Sequence, residues 1–181
     1  MKNYLKIARI DHWVKNVFIV PGVVIAILLT DFTFDTSYIW KFIVGFFATC
    51  FIASANYVIN EWLDADFDKY HPTKKFRPVV SANMKFSLVM LEYVLFALAG
   101  VGCSLLLSRA FLFTELWLLL MGIIYNVKPL RTKDIPYLDV LSESVNNMIR
   151  LLLGWFIINS ELQPPSSILI GYWMGGAFLM A

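Results

Sequence analysis

Residues 38–68 read YIWKFIVGFFATCFIASANYVINEWLDADFD, and two features of this stretch set the class of the molecule. From Tyr38 to Trp62 it is an almost unbroken apolar run, long enough to cross a bilayer core of about 30 Å as a helix. At its far end Asn60, Asp64 and Asp68 recur every four residues, with Asn56 one step earlier. At 100° per residue these four positions drift over only about 120° of a helix surface. Glu61 borders the same arc and Asp66 points elsewhere. The second span therefore ends in a line of oxygen ligands. Carboxylates in one line repel each other unless a cation joins them, and hard oxygen donors with room for water and phosphate oxygens suit Mg2+. A solvated helix end facing the lysines of the next loop would have the same composition. Against it stand the four-residue register and the basic segment HPTKKFRP, residues 71–78, within three residues of Asp68. Acid-held metal beside Lys and Arg is an arrangement that binds a diphosphate and neutralises it as it leaves.

The rest of the chain agrees with a lipid solvent. Of its 181 residues 59% are apolar, 16% aromatic and only 15% charged, and the mean hydropathy is +0.68. Such a composition excludes disorder, collagen, a disulfide scaffold and an ordinary cytosolic globule. Further spans read as Val17–Thr30 (short, and broken by Pro21-Gly22), Ser87–Ser108, Phe111–Val127 and Tyr137–Ile158, while Ile168–Ala181 is apolar to its last residue. Twelve of the fifteen Lys and Arg residues fall in the N-terminal segment, in 63–86 and in 128–136. The opposite connections, 31–37, 108–110 and 159–167, hold only Arg109. The positive-inside rule places the N-terminus and both long basic loops in the cytoplasm. A lipid-embedded backbone must satisfy its own hydrogen bonds, and no barrel-like alternation is present, so the fold class is all-α, a multi-pass transmembrane helical bundle. The basic N-terminus lacks a small-residue cleavage site and does not read as a cleaved signal peptide. No internal repeat is visible, and Cys50 and Cys103 read as small packing residues.

Other polar groups lie at membrane depth. The fifth span carries Asp139, Glu143, Asn146, Asn147 and Arg150 within about 100° of one another, with Arg150 roughly 16 Å past Asp139. Two readings stay open for this stripe: an internal Arg150–Glu143 ion pair that locks packing, or a cavity wall where Arg150 or the asparagines meet a head group. Lys15 either snorkels or reaches inward to a phosphate, Trp13 reads as an interface anchor, and Glu92 as a partner for a lysine. His12 and His71 have no zinc spacing. There is no Walker loop or dinucleotide fingerprint, and the basic loops are too short to suggest nucleic acid.

Asn60-Glu61-x-x-Asp64-x-x-x-Asp68 resembles the N-D-x-x-D-x-x-x-D signature of the UbiA superfamily of intramembrane prenyltransferases. Arg77-Pro78-Val79-Val80-Ser81 is similar to the R-P-x-x-S-G stretch that follows it, and Tyr125-Asn126-Val127-Lys128-Pro129-Leu130-Arg131 to the Tyr…Lys/Arg motif after the fourth helix. Glu61 replaces the usual Asp, and Ala82-Asn83 stands where Ser-Gly would continue, with Asn83 the residue able to take a left-handed turn. The resemblance implies Mg2+ held by Asn60, Glu61, Asp64 and Asp68. It implies catalytic roles for Asp64, Asp68, Tyr125 and Lys128 and phosphate contacts from Lys74, Arg77 and Arg131; Lys15, Asn56, Asn146 and Arg150, read from their places in the spans, complete the candidate substrate-binding set.

The activity it implies first is transfer of a polyprenyl group from a polyprenyl diphosphate to an aromatic or lipid acceptor. The W-x-K-N run and the 71–78 segment look more like the decaprenyl-phosphate phosphoribosyltransferase branch, in which phosphoribosyl pyrophosphate is the donor and polyprenyl phosphate the acceptor. The tyrosine–lysine loop looks more like the lipid and pigment prenyltransferase branches, and prenyl transfer is the preferred expectation. A non-catalytic lipid-binding or transporter-like bundle is the rival from another class. Family members have about nine helices and a second aspartate motif after the sixth. Residues 1–181 thus read as a single transmembrane domain of five membrane helices and the start of a sixth, truncated at the C-terminus and inactive alone.

Overall fold

The computed structural model describes residues 2–82 and 84–181, so the turn expected at Asn83 lies outside the described residues. Among the described residues every regular element is helical. They are α1 (Lys2–Ile7), a 3-10 segment (Ile10–Ile19), α2 (Val20–Leu29), α3 (Ser37–Asp68), α4 (Pro78–Ser81), α5 (Phe86–Ser104), α6 (Arg109–Asn126), α7 (Leu138–Ile158) and α8 (Ser166–Met180), with short 3-10 turns at Lys74–Phe76 and Thr132–Asp134.

Four helical stretches are long and apolar enough to cross a membrane: Asn3–Leu29, Ser37–Asp68, Phe86–Ser104 and Arg109–Asn126. The first is longer than the expected 17–30. Pro21 does not break it, because it sits in the first turn of α2, a position that tolerates proline. The α7 helix has 21 residues but carries the polar stripe, and α8 has 15. Ser108 caps α6 by accepting the Phe111 N–H at 3.1 Å, which starts that helix after the expected turn.

The 32 residues of α3 make a rod of about 48 Å, well beyond the thickness of a bilayer core. Its acidic last turns therefore project past the apolar layer. The apolar length of α3 packs along α5 and α6, and α7 packs among α2, α6 and α8. A continuous core of Ile19, Ala48, Ile52, Phe111, Leu118, Leu153 and Trp155 fills the centre. Glycines set the α2–α7 distance. A Cβ on Gly22 would land on the backbone carbonyl of Leu151, and one on Gly154 on the carbonyl of Ile19. The two backbones touch, as small residues permit in helix pairs within lipid.

The N-terminal segment is tied down rather than floating at an interface. Trp13 donates its indole N–H to Ser54 Oγ at 2.9 Å and packs edge-on against Phe47 and Phe51, so it docks on α3 instead of serving as a membrane anchor. Ser54 Oγ in turn donates to the Ala8 carbonyl at 2.8 Å. Among the described residues Glu92 finds no lysine; it lies in an apolar groove with Leu88 and Leu95, and its Oε2 has no donor there.

Candidate functional site

The acidic end of α3 meets three separate sources of cations. Asp64 Oδ1 accepts from Arg131 Nη2 at 3.0 Å and from Lys133 Nζ at 2.5 Å, both on the 127–137 connection. Asp68 Oδ2 accepts from Arg77 Nη1 at 2.7 Å. Glu61 Oε1 accepts from Arg9 Nε and Nη2 at 2.9 and 2.5 Å, with Arg77 Nε 3.6 Å away. Asn60 donates its amide N–H to Asn126 Oδ1 at 2.9 Å, and Lys133 Nζ donates to that same oxygen at 2.8 Å. Arg9 and Arg131 both adopt positive φ, 47° and 28°. That geometry costs a non-glycine residue roughly 1–3 kcal/mol. In each case it aims a guanidinium at a carboxylate of α3.

These groups line a cavity of about 400 Å³, the mouth, whose walls include Asn60, Asp64, Asp68, Lys74, Arg77, Arg131 and Lys133. Two further cavities follow in series. The neck, about 240 Å³, is lined by Asn56, Asn60, Tyr125, Asn126, Glu143, Asn146 and Arg150. The chamber, about 630 Å³, is lined by Lys15, Phe18, Asn147, Arg150, Tyr172 and the apolar end of α8. Mouth and neck share Tyr57, Asn60 and Tyr125; neck and chamber share Tyr57, Glu143 and Arg150. Among the described residues Tyr57 alone borders all three, seven residues before Asp64 and so about 10 Å along the helix. Its ring is held by His12 edge-on at 5.3 Å and by the Arg9 guanidinium at 5.5 Å.

The residues read from the sequence divide among these spaces. Asp64, Asp68, Lys74, Arg77 and Arg131 meet at the mouth, with Asn60 and Tyr125 at its floor. Asn56 and Asn146 lie in the neck and Lys15 in the chamber, while Arg150 borders both. Two residues fall elsewhere. Glu61 is one residue past Asn60, hence about 100° around the helix, and it is buried against Arg9 instead of lining the mouth. Lys128 is exposed and lines none of the three cavities, because the chain turns after Val127 and delivers Lys133 to Asp64 instead. Of the two readings of the fifth-span stripe, the ion pair does not form. Arg150 donates from Nε to Asn16 Oδ1 at 3.1 Å and from Nη1 to the Asn146 carbonyl at 3.2 Å, and Glu143 accepts from Asn146 Nδ2 at 3.2 Å.

Burial pushes the Lys133 ammonium below the ordinary lysine range, with Asp64 opposing the shift. A cation in that position gains from any additional negative charge that enters the mouth. Lys133→Ala is expected to weaken diphosphate binding about tenfold to a hundredfold, the range of one charge-assisted hydrogen bond. Lys128→Ala is expected to change it less than about twofold, as exposed charges contribute little. Calorimetric titration with inorganic pyrophosphate checks both, and the reverse order would restore Lys128 to the site.

Among the described residues no three His, Cys, Asp or Glu side chains converge closely enough to enclose a metal ion by themselves. The donor chemistry nevertheless fits Mg2+. Asp64 and Asp68 each engage the cations through one oxygen only, Asn60 engages Asn126 only as a donor, and all three line one cavity. Mg2+ is commonly held by one or two carboxylates, with substrate phosphates and water completing the shell.

Comparison with known proteins extends this picture. The sequence model of the UbiA prenyltransferase family matches residues 18–181. Uncharacterized protein y4nM of Sinorhizobium fredii is 29% identical over 164 residues, covering 91% of this chain and 30% of that protein. The decaprenyl-phosphate phosphoribosyltransferase of Corynebacterium glutamicum is 27% identical over 162 residues, covering 87% of this chain and 47% of that enzyme. The chain thus spans less than half the length of these relatives. A solved UbiA homolog from Archaeoglobus fulgidus, bound to DMAPP and Mg2+, superimposes with a TM-score of 0.79 at 18% identity, over 98% of this chain and 61% of that one. That likeness speaks for the fold.

Proposed function

The chain belongs to the UbiA prenyltransferase family, and on that footing we propose that it serves a Mg2+-dependent membrane transferase that cleaves a diphosphate ester at the mouth and joins the released group to an acceptor. The observation that carries this reading is the order of the cavities: charged mouth, polar neck, apolar chamber. Asn60, Asp64 and Asp68 would hold Mg2+, which neutralises phosphate oxygens when bound. Lys74, Arg77, Arg131 and Lys133 donate to the same oxygens as negative charge gathers on them. Tyr57 and Tyr125 form the floor that positions the reacting carbon, and the apolar helices below keep water from it. By the charge map the mouth opens to the cytoplasm.

The neck bears on the choice of donor. Asn56, Asn60, Asn126 and Asn146 line it, and such polar walls offer hydrogen bonds that the hydroxyl groups of a sugar can take up and an isoprenoid chain cannot. This favours a phosphoribosyl diphosphate as donor and a polyprenyl phosphate as acceptor, the substrates implied by the name of the C. glutamicum relative. A phosphate oxygen of the lipid bonds to the anomeric carbon. The bond from that carbon to the diphosphate breaks, and its electron pair leaves on the diphosphate.

The second reading is polyprenyl transfer from a polyprenyl diphosphate to an aromatic or lipid acceptor. It draws on the apolar chamber, wide enough for a tail, and on the A. fulgidus homolog bound to DMAPP. Supplying the protein in membranes with each donor beside a labelled polyprenyl phosphate separates the two. Phosphoribosylated lipid is the expected product. A prenylated acceptor made only from the prenyl donor would move the assignment to the second reading. Binding of neither donor would favour the non-catalytic alternative.

A further inference from the structure

Glu92 stands apart from the mouth, neck and chamber and lines none of them. The 19 residues of α5 make about 28 Å, close to the thickness of a bilayer core of about 30 Å. Glu92 is six residues past Phe86, so about 9 Å inside the apolar layer and below the level of phospholipid head groups. Ionisable residues at such a depth ordinarily turn to the interior of a bundle and meet a partner there. Glu92 instead lies in a separate groove of about 710 Å³, walled by Leu5 of α1, Phe51 of α3 and Leu88, Leu91, Leu95 and Phe96 of α5. Its Oε2 is buried with no donor among the described residues. No other Asp or Glu and no Lys, Arg or His lines the groove, whose one further polar group is the Tyr4 phenol.

We propose that this groove is a binding site for a single-chain amphiphilic amine, whose ammonium pairs with Glu92 and whose tail runs along α5 toward Ala99. The site goes beyond the transferase reading and does not depend on it. Charge complementarity selects the head: one acidic group among apolar walls is matched by one cation, and an N–H from that cation satisfies the unpaired Oε2. Shape selects the tail. From Leu88 to Ala99 the groove follows α5 for eleven residues, about 16 Å, with Glu92 in its cytoplasmic third. Its volume lies within the roughly 300–1,000 Å³ of pockets that take small ligands. A transmembrane helix, about 10 Å across, displaces roughly 1,200 Å³ over the same length, so the groove is too narrow to seat one. The amine of a diacyl phospholipid stays at the interface, above Glu92, whereas a single alkyl chain can sink to that depth.

The test uses the full chain in phosphatidylcholine nanodiscs, with dodecylamine and dodecanol as probes, each carrying a photoactivatable diazirine near the end of its chain. The labelled residues are mapped by mass spectrometry. In the wild type the amine is expected to label the groove, around Leu95 and Ala99, at least about tenfold more than the alcohol does; tenfold corresponds to about 1.4 kcal/mol. Glu92→Gln is expected to reduce the amine to the level of the alcohol, and Leu95→Trp to exclude both by filling the groove. Asp64→Asn with Asp68→Asn is expected to leave the labelling unchanged, since those residues line the mouth alone. Equal labelling by amine and alcohol in the wild type would mean ordinary partitioning into lipid and would overturn the proposal. So would amine labelling that survives Glu92→Gln, and cross-linking of two copies through Leu95 would assign the groove to a second copy instead. Should Glu92→Gln not fold, the wild-type amine-to-alcohol ratio and the response of Leu95→Trp decide in the same way.

Discussion

Replacing Asp64 and Asp68 together by asparagine is expected to remove the Mg2+-dependent part of pyrophosphate binding, a loss of more than about a hundredfold. Each substitution deletes a carboxylate oxygen that faces the mouth, and two such charge-assisted contacts amount to roughly 3–6 kcal/mol. Asparagine preserves side-chain shape, so α3 is not disturbed. The cations that remain give the experiment a second readout. Arg131 and Lys133 lose Asp64, and Arg77 loses Asp68; each is then free to meet an anion directly. Pyrophosphate without Mg2+ is therefore expected to bind the double variant at least as well as the wild type. Titration calorimetry with and without Mg2+ measures both effects. A Mg2+ increment that survives the double substitution would mean that the line of oxygens on α3 is only a solvated helix end.

The largest effect on stability is expected at the α2–α7 crossing. Gly22→Ala and Gly154→Ala each drive a methyl group into a backbone carbonyl of the opposite helix, Leu151 and Ile19 respectively. A backbone atom cannot rotate away as a side chain can, so the helices must separate. Overpacking of this kind costs about 1–3 kcal/mol per site, and the two sites load the same interface. The double variant is expected to melt about 5–15 °C below the wild type in detergent. Gly102→Ala is the control: nothing lies within 4 Å of its added Cβ, and an alanine in a helix is neutral or mildly stabilising. Equal melting of all variants would show that the close approach of α2 and α7 does not limit stability.

Much of the helical plan is legible in the chain itself. Apolar runs of membrane length and the four-residue register of Asn56, Asn60, Asp64 and Asp68 are local patterns, and a helix converts sequence spacing directly into angle and height. The polar stripe from Glu143 to Arg150 is visible in the same way. Tyr57 was within reach too, since it stands three residues before Asn60 and seven before Asp64. An aromatic residue within an apolar span, however, carries no mark that separates a cavity wall from core.

What spacing could not supply was partnership between helices. Glu61 reads as one more metal oxygen until Arg9, fifty-two positions away, is brought against it. Lys128 and Lys133 are equivalent cations in one short loop until its turn sends only the second to Asp64. Arg150 is open to pairing with Glu143 on its own helix, and it is Asn16, from the far end of the chain, that takes its Nε–H instead. An all-helical membrane protein with an acidic line at the end of its second span is written in the chain's local patterns, because those properties follow from local geometry and from the cost of polar groups in lipid. That this line tops a mouth, neck and chamber depends on how the helices pack. The register between helices is set by long-range contacts such as Gly22 on Leu151, and no spacing along one helix encodes which residue of another will face it.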